Sequence, residues 1–163
     1  MIFLTVGTHE PFERLVKAVD TWVGANPDQA RFFGQITEHG YRPEHFPFID
    51  RLSPTEYQTR FDEADLIISH AGMGTILTAL SKGKPVVILP RRGHLSETRN
   101  DHQYTTVKHL GHRQGVYVAQ DETELGAVLS NALSNMTDET HARVSDVAPV
   151  SFTNALRTFI TQT

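Results

Sequence analysis

The sequence predicts an α/β fold in which a doubly wound parallel sheet of about six strands forms one domain, residues 1–163. A length of 163 residues is the usual size of a single domain with one hydrophobic core. A composition of 39% hydrophobic and 21% charged residues is that of an ordinary globular protein. Short runs of β-branched or aromatic residues alternate with helical stretches, and this alternation is typical of a parallel sheet covered by helices on both faces.

Six such runs are the candidate strands, and most of them are followed by a loop that contains Gly, Pro, Ser or Asp. In order they are Ile2–Val6, Arg31–Ile36, His45–Leu52, Asp65–Ser69, Pro85–Leu89 and Gly115–Ala119. Sheets of this class bind ligands at the carboxyl ends of their strands. The chemistry is therefore expected in the loops that lead from a strand into the next helix.

The first three helices are marked by their end signals. A helix over Pro11–Val23 follows the first strand. The second begins after Ser53, a candidate N-cap that is followed by proline and then by Glu56, so that a capping box can form. The third begins near Thr75 and ends at Gly83, where glycine can take the left-handed conformation.

Helix signals continue in the last third of the chain. The residues Asp101 to Gln103 open a helix, and Asp121–Glu124 repeats the capping pattern before an apolar helix. The segment Met136–Ala148 is polar and weakly patterned, which indicates a linker or a loose helix, and a last helix is predicted near Val150–Thr161.

The composition excludes several classes of function. The absence of cysteine excludes disulfide scaffolds, zinc ribbons, iron–sulfur clusters and thiol nucleophiles, and it favours the cytoplasm. A formal net charge of −4 provides no basic field for nucleic acid. The nine histidines show no metal-binding spacing, so no metal site is expected. The N-terminal apolar run stops at Gly7 and indicates a strand rather than a signal peptide, and no run approaches the length of a membrane span.

Two strand-to-helix loops are candidates for binding a phosphate. The fourth strand leads into a glycine-rich helix entrance, Ser69-His70-Ala71-Gly72-Met73-Gly74-Thr75. Glycine lets the backbone approach a ligand closely, and the unpaired N–H groups and dipole of a helix N-terminus favour an anion. The loop after the first strand, Gly7-Thr8-His9, is the second candidate, with His9 as a donor to phosphate or a proton-transfer group. The alternative for both loops is a turn that needs glycine only for its backbone.

A dinucleotide-binding site is an open alternative for the same loop. The third small position of that fingerprint is Leu77 here, which is too large for close packing of helix on strand. Arg91 and Arg92 follow the next strand, where they could meet the 2′-phosphate of NADP. The sequence therefore keeps an NADP-dependent oxidoreductase as a minor alternative.

The long polar loop after the fifth strand carries the third group of candidates. Asp101, His102 and Gln103 open the next helix, and carboxylate, imidazole and amide groups are the side chains that form hydrogen bonds to sugar hydroxyls. The alternative is a helix cap with exposed neighbours.

Taken in order, these residues resemble the donor-binding C-terminal half of the two-domain (GT-B) glycosyltransferases of family 28. The resemblance is carried by Phe48-Ile49-Asp50, Ala64–Thr75, Gly83–Pro90 and Asn100-Asp101-His102-Gln103-Tyr104. It is strongest to the stand-alone members, which are exopolysaccharide subunits of the PssE type and the donor-binding subunit of the eukaryotic dolichol-linked N-acetylglucosaminyltransferase. The resemblance implies a Rossmann-like domain that binds a UDP-sugar.

The resemblance also assigns roles to individual residues. It implies that the backbone of Ile49 meets the uracil, and that His102 and Gln103 reach the sugar hydroxyls, with Asp101 beside them. The diphosphate would be surrounded by the two glycine loops, through Gly7, Thr8, His70, Gly72, Met73, Gly74 and Thr75. The family usually has a glutamate that holds the ribose where this chain has Thr78, so ribose binding is weaker, supplied by Glu97 or another group, or changed in nucleotide preference.

The implied activity is that of a UDP-sugar-dependent hexosyltransferase that needs no metal and no cofactor besides its donor. The general base would come from a second domain, which a chain of 163 residues does not hold. The resemblance thus implies a membrane-associated acceptor-binding partner, a polyprenyl-diphosphate-linked saccharide as acceptor in exopolysaccharide or capsule synthesis, and a cytoplasmic chain recruited to the inner face of the membrane. The alternative is a non-catalytic nucleotide-sugar-binding or activating subunit of such a complex.

Overall fold

A computed structural model describes residues 1–8, 10–99 and 102–136, and its strands form one parallel sheet. The strand order is β3-β2-β1-β4-β5-β6, and each neighbouring pair is parallel. The strands are β1 (Ile2–Thr5), β2 (Phe32–Gln35), β3 (Phe48–Ile49), β4 (Leu66–His70), β5 (Val86–Leu89) and β6 (Val116–Val118). The predicted α/β class and the six parallel strands are thereby confirmed.

Helices connect the strands and cover both faces of the sheet. They are α1 (Glu13–Ala25), α2 (Pro54–Glu63), α3 (Met73–Ser81), α4 (His102–Leu110) and α5 (Leu125–Asn135), with a 3₁₀ turn over Gly93–Leu95. The prediction for Met136–Ala148 falls outside the described residues beyond Met136, and the predicted helix near Val150–Thr161 lies outside them entirely.

Alternate residues of the central strand serve two hydrophobic cores, as the pleat of a strand requires. Ile2 and Leu4 of β1 pack with α1 and α5 on one face of the sheet. Phe3 packs on the other face with α2 and α3, where its ring meets the Phe61 ring edge-on at 6.5 Å between centroids. Because both faces of β1 are buried, the sheet is covered on both sides as the sequence predicted.

The third strand is much shorter than predicted. The expectation was His45–Leu52, whereas the structure pairs only Phe48–Ile49 with β2. The buried Asp20 carboxylate of α1 accepts hydrogen bonds from the Glu44 N–H at 3.1 Å and the His45 N–H at 2.8 Å. These amide groups therefore point to α1 and form a bend instead of extending the strand.

Two helix boundaries also differ from the prediction. The third helix begins at Met73 and not near Thr75, because Gly72 takes the extended N-cap conformation (φ −84°, ψ 130°). The first helix spans Glu13–Ala25 rather than Pro11–Val23. Gly83, with φ +64°, ends the third helix region in the left-handed conformation that was predicted for it.

The capping box before α2 is formed as predicted. The Ser53 hydroxyl accepts from the Glu56 N–H at 3.3 Å, and the Glu56 carboxylate accepts from the Ser53 N–H at 2.9 Å. The corresponding pattern before α5 is shifted, because Asp121 caps a turn while the Glu124 carboxylate accepts from Gln120 N–H at 2.9 Å, and the helix begins only at Leu125.

The strand order places a topological switch point between β1 and β4. From β1 the chain moves to β2 on one side, and from β4 it moves to β5 on the other. A crevice opens at the carboxyl ends of two strands whose connections diverge in this way. The two glycine loops, after β1 and after β4, lie on either side of this crevice.

Candidate functional site

The entrance to α3 is built as an anion-binding helix N-terminus. Gly72 is the N-cap, and Met73, Gly74 and Thr75 form the first turn, whose N–H groups lack partners within the helix. Met73 is exposed, and apart from the neighbouring residues and backbone of α3 itself no atom of the described residues lies within 4 Å of where a Cβ on Gly74 would be. The space in front of this helix end is therefore open to a ligand.

The His70 imidazole joins the two glycine loops. A Cβ on Gly72 would lie 2.3 Å from His70 Nε2, and a Cβ on Gly7 would lie 3.3 Å from His70 Cε1. Both positions thus require glycine so that the ring can sit between them, and Gly7 in addition has φ +90°. Burial lowers the pKa of His70 to about 4, and the positive charges of Arg91 and His102 act in the same direction. His70 is accordingly a neutral hydrogen-bonding group at physiological pH.

A cavity of about 760 Å³ lies beside this histidine at the carboxyl end of the sheet. It is lined by Val6, Gly7, Thr8, Glu10, His70, Arg91, Gly93, Ser96, Glu97, Thr98, Arg99, His102 and Gln103. The structure therefore brings five of the predicted donor-binding residues into one cavity, namely Gly7, Thr8, His70, His102 and Gln103. The α3 entrance adjoins it through the contact of Gly72 with His70.

The predicted sugar-binding residues differ in how firmly they are held. Gln103 is buried, and its amide oxygen accepts from the Arg91 N–H at 2.9 Å, which fixes the orientation of the side chain. His102, the first residue of α4, is exposed and lines the cavity. Asp101 lies outside the described residues, as does His9, the predicted proton-transfer group.

Ile49 lies at the edge of the sheet and not among the residues that line the cavity. Its side chain is exposed, and its carbonyl oxygen accepts from the Ile36 N–H at 3.1 Å. The following segment is tied to β2 by the buried Gln35, whose amide oxygen accepts from Leu52 N–H at 3.2 Å and whose amide nitrogen donates to the Gly7 carbonyl at 3.1 Å. One buried side chain thus connects the predicted uracil loop with the predicted diphosphate loop.

Neither Thr78 nor Glu97 is arranged as a strong ribose acceptor. The Thr78 hydroxyl donates to the Gly74 carbonyl one turn earlier, at 2.8 Å, and only its lone pairs are left for a ligand. Both carboxylate oxygens of Glu97 accept from Arg14 at 2.8 Å, and one of them also accepts from Arg92 N–H at 2.8 Å. Glu97 therefore holds its own loop against α1, so the sequence-based suggestion that it replaces the family glutamate receives no support.

Arg91 is held differently from what the sequence suggested. It was noted as a possible partner for a bound phosphate, but its guanidinium is buried and donates to main-chain carbonyls, including Val6 at 2.9 Å and Pro11 at 2.8 Å. Gln35 is the residue that sequence reasoning missed. No sequence signal marks Gln35 or the burial of Arg91, because a single polar residue after or within a strand has no periodic pattern.

Two further observations bear on what the site can hold. Within the described ranges 1–8, 10–99 and 102–136, no three histidine, aspartate or glutamate side chains come together as a metal site. In the same part of the chain, no helix has the length and hydropathy needed to cross a bilayer.

Comparison with known proteins identifies the family. The model of the glycosyltransferase family 28 C-terminal domain matches residues 1–156. The chain belongs to this family. The resemblance inferred from the glycine loops and from the residues around His102 is thereby confirmed at the level of the family.

Family 28 relatives include subunits of a known transferase. The human UDP-N-acetylglucosamine transferase subunit ALG13 is 43% identical over 123 residues, which are 70% of this chain and 10% of that protein. The ALG13 subunit of Yarrowia lipolytica is 26% identical over 140 residues, 78% of this chain and 69% of that protein. The chain spans about a tenth or less of the mammalian relatives.

The fold is also that of a solved structure. The crystal structure of MurG from Acinetobacter baumannii aligns with a TM-score of 0.61 at 17% identity, covering 99% of this chain and 49% of that one. At this identity the similarity concerns the fold alone.

Proposed function

We propose that this chain is the donor-binding subunit of a glycosyltransferase that takes a UDP-sugar as its donor. Together with a separate membrane-associated partner that binds the acceptor, it would transfer a hexose to a polyprenyl-diphosphate-linked saccharide in exopolysaccharide or capsule synthesis. The chain itself would be cytoplasmic and recruited to the inner face of the membrane by that partner. Family membership and the relatedness to transferase subunits support this proposal.

The observation that carries the proposal is the α3 entrance at the switch point, beside a polar cavity. Gly72 and Gly74 leave the helix N-terminus open, and His70 fills the space between the two glycine loops. A diphosphate at this position would meet the N–H groups of the first turn of α3 and the favourable end of the helix dipole. The remaining part of the cavity, towards Gln103 and His102, is available for a sugar.

These groups define what the chain contributes to the reaction. Breaking the bond between the anomeric carbon and the diphosphate leaves negative charge on the departing UDP, and preorganised N–H donors stabilise such charge as it develops. Gln103, held by its bond to Arg91 N–H, would orient the sugar hydroxyls. The base that deprotonates the acceptor hydroxyl would come from the partner. The proposed transfer uses no metal ion and no cofactor other than the donor.

Thr78 supports a second candidate, a nucleotide-sugar-binding or activating subunit without a catalytic role. Because its hydroxyl hydrogen is donated to the Gly74 carbonyl, the ribose would be held less firmly than by a carboxylate. Two variants distinguish the candidates in the assembled complex. A catalytic donor site predicts that Gln103→Ala lowers transfer, whereas an accessory role predicts that this variant transfers normally while removal of the whole subunit abolishes transfer.

NADP binding is less well supported than UDP binding. Arg91, one of the two arginines expected to meet the 2′-phosphate, is buried and bonded to main-chain carbonyls. NADPH is therefore the natural comparator in a binding experiment, since the oxidoreductase alternative predicts that it binds while UDP does not.

Calorimetric titration with UDP tests the donor site, with Gly74→Asp and Gly74→Asn as a matched pair. The two side chains have nearly the same size and enter open space, but only aspartate places a negative charge in the first turn of α3, where the diphosphate would bind. We expect Gly74→Asp to lose UDP binding and Gly74→Asn to retain most of it. Equal binding by both variants and the unchanged chain would place the nucleotide elsewhere.

Co-expression tests the two-subunit part of the proposal. The isolated chain should transfer no sugar, and activity should appear when it is produced together with the acceptor-binding partner. Full transfer by the chain alone would contradict the division of the enzyme into two subunits.

A further inference from the structure

The loop between β1 and α1 has several of its carbonyl groups held by hydrogen bonds from side chains. Four of them, those of Val6, Gly7, Glu10 and Pro11, accept hydrogen bonds from two buried side chains. The Gln35 amide nitrogen donates to the Gly7 carbonyl at 3.1 Å. The guanidinium of Arg91 donates to the other three carbonyls at 2.8–2.9 Å. A loop whose carbonyl oxygens are held by donors presents less negative charge to an anion that approaches its N–H groups.

Arg91 is suited to this role by its shape and its surroundings. Its Nη1 also donates to the Glu97 carbonyl at 3.1 Å, and its guanidinium carbon lies 4.6 Å from the centroid of the Phe12 ring. The planar fork of arginine can serve several carbonyls at fixed angles, which the single ammonium of lysine cannot. The side chain is 5% exposed and borders the cavity next to His70.

The charge of Arg91 is only partly offset by carboxylates in the described part of the chain, where the charges of Glu97 and Glu10 favour its protonated form. Glu97 forms its ion pair with Arg14, and no ion pair joins Arg91 to an acidic side chain among the described residues. Burial lowers the pKa of Arg91, as it does for a cation removed from water. A buried cation of this kind favours an anion bound nearby.

We propose that Arg91 is a positioning residue for the diphosphate of the donor. It holds carbonyl groups of the β1–α1 loop in hydrogen bonds to a buried cation, and the bound diphosphate adds negative charge beside the guanidinium. This inference rests on the proposed function, and it assigns the recognition of the diphosphate, not that of the nucleoside, to Arg91.

The neighbouring Arg92 provides a matched control. Its guanidinium donates to the Tyr104 hydroxyl at 3.1 Å and to the Gln120 carbonyl at 3.3 Å, neither of which belongs to the β1–α1 loop. Arg91→Lys keeps the charge and loses the fork, and Arg92→Lys makes the same change one residue away. The binding of UDP, inorganic pyrophosphate and uridine to the unchanged chain and to both variants can be followed by NMR titration.

We expect Arg91→Lys to weaken UDP and pyrophosphate binding at least tenfold and to leave uridine binding within twofold, while Arg92→Lys binds all three as the unchanged chain does. Equal losses for uridine and UDP would mean that Arg91 only maintains the fold, and unchanged pyrophosphate binding would mean that it does nothing for the anion. Either result overturns the inference.

The three probes also separate this inference from the proposed function. A chain that binds pyrophosphate in an Arg91-dependent manner but binds neither UDP nor uridine contradicts the UDP-sugar donor and supports the role of Arg91. A chain that binds none of the three contradicts both. If Arg91→Lys does not fold, the side-chain N–H signals of Arg91 in the unchanged chain provide the test. These signals should shift when pyrophosphate is added and stay fixed when uridine is added. The absence of a shift with pyrophosphate overturns the inference.

Discussion

Two cavities lie at opposite ends of the same sheet, and the larger one is not the candidate site. The cavity at the amino ends of the strands has about 950 Å³ and is lined by three aromatic rings, other apolar residues and several charged side chains, including Phe32, Phe33, Phe46, Arg31 and Arg60. The cavity at the carboxyl ends has about 760 Å³ and is lined mainly by glycines and polar side chains. The volume of a cavity therefore does not identify the candidate site here, whereas the residues that line the cavity do.

The buried polar residues at the two ends serve different purposes. At the amino end, the carboxylate of Asp20 accepts from the Tyr41 hydroxyl at 2.7 Å and from the Glu44 and His45 N–H groups, which fixes a bend. At the carboxyl end, Gln35 and Arg91 donate hydrogen bonds to carbonyl oxygens of a loop that borders a cavity. The first arrangement stabilises a bend in the chain, and the second, as we propose, shapes a surface for an anion.

A pair of glycines provides the largest contrast between the two ends. A Cβ on Gly72 would lie 2.3 Å from His70, and a Cβ on Gly24 would lie 2.9 Å from His45, so each glycine makes room for a histidine ring. Gly72→Ala should displace His70 and weaken UDP binding on the order of a hundredfold, about 2.7 kcal/mol. Gly24→Ala should leave UDP binding unchanged. Calorimetry on both variants measures the contrast, and equal affinities would remove the distinction between the two ends.

The next largest effect on UDP affinity is expected from the link between the two predicted nucleotide loops. Gln35→Met conserves volume but leaves the Gly7 carbonyl and the Leu52 N–H without their partner. UDP affinity should fall about tenfold, roughly 1.4 kcal/mol. The control is Gln58→Met on the exposed face of α2, where the amide nitrogen donates to Asp62 at 3.0 Å. If both variants bind UDP equally well, the inference that Gln35 couples the two loops is wrong.

A substitution at the amino end should change stability and leave binding intact. Burial opposes ionisation of Asp20, but the hydrogen bonds from Glu44, His45 and Tyr41 outweigh it, and the pKa of Asp20 lies below its ordinary value. Asp20→Asn should lower the free energy of unfolding by about 2 kcal/mol at pH 7.

The effect of Asp20 should depend on pH with a definite sign. Because its pKa is lower in the folded than in the unfolded chain, its contribution is present above the unfolded value of about 3.9 and is lost as the pH falls through the folded value. The difference between Asp20→Asn and the unchanged chain in urea unfolding should therefore shrink between pH 5 and pH 2. A difference that grows at acid pH, or a loss of UDP binding at pH 7, would contradict this assignment.

The smallest effect is expected at the capping box of α2. Ser53→Ala removes the hydroxyl that accepts from Glu56 N–H and should cost about 1 kcal/mol in the free energy of unfolding. UDP affinity should not change. Thermal unfolding and calorimetry on the same sample test both statements, and a large loss of affinity would show that the α2 entrance contributes to the site.

The elements that sequence reasoning placed correctly depend on local signals. The apolar runs of β4 and β5 and the Ser53–Glu56 capping box need only neighbouring residues to specify them. The third strand was predicted too long because Asp20, distant in sequence, takes up the N–H groups of Glu44 and His45. Contacts across the fold decided that boundary, and no local pattern reports them.

The residues of the candidate site also divide into those that a local sequence signal marks and those that distant contacts place. Gly72 and Gly74 at a helix entrance after a strand are a local signal, and the structure places them at the switch point as expected. The burial of Arg91 under a loop more than 80 residues earlier in the chain is not local, as its bond to Val6 illustrates. The predicted role of Ile49 stays a prediction, because it depends on a ligand contact at the edge of the sheet.

Chemical-shift mapping of UDP binding by NMR tests the central claim, that the nucleotide binds at the carboxyl ends of the strands, most directly. On addition of UDP we expect the amide signals of Gly7, Thr8, Gly74 and Gln103 to shift together with saturation, and those of Phe33 and Phe46 to remain in place. Saturable shifts confined to the aromatic cavity at the amino ends, or no shifts at all, would contradict the account.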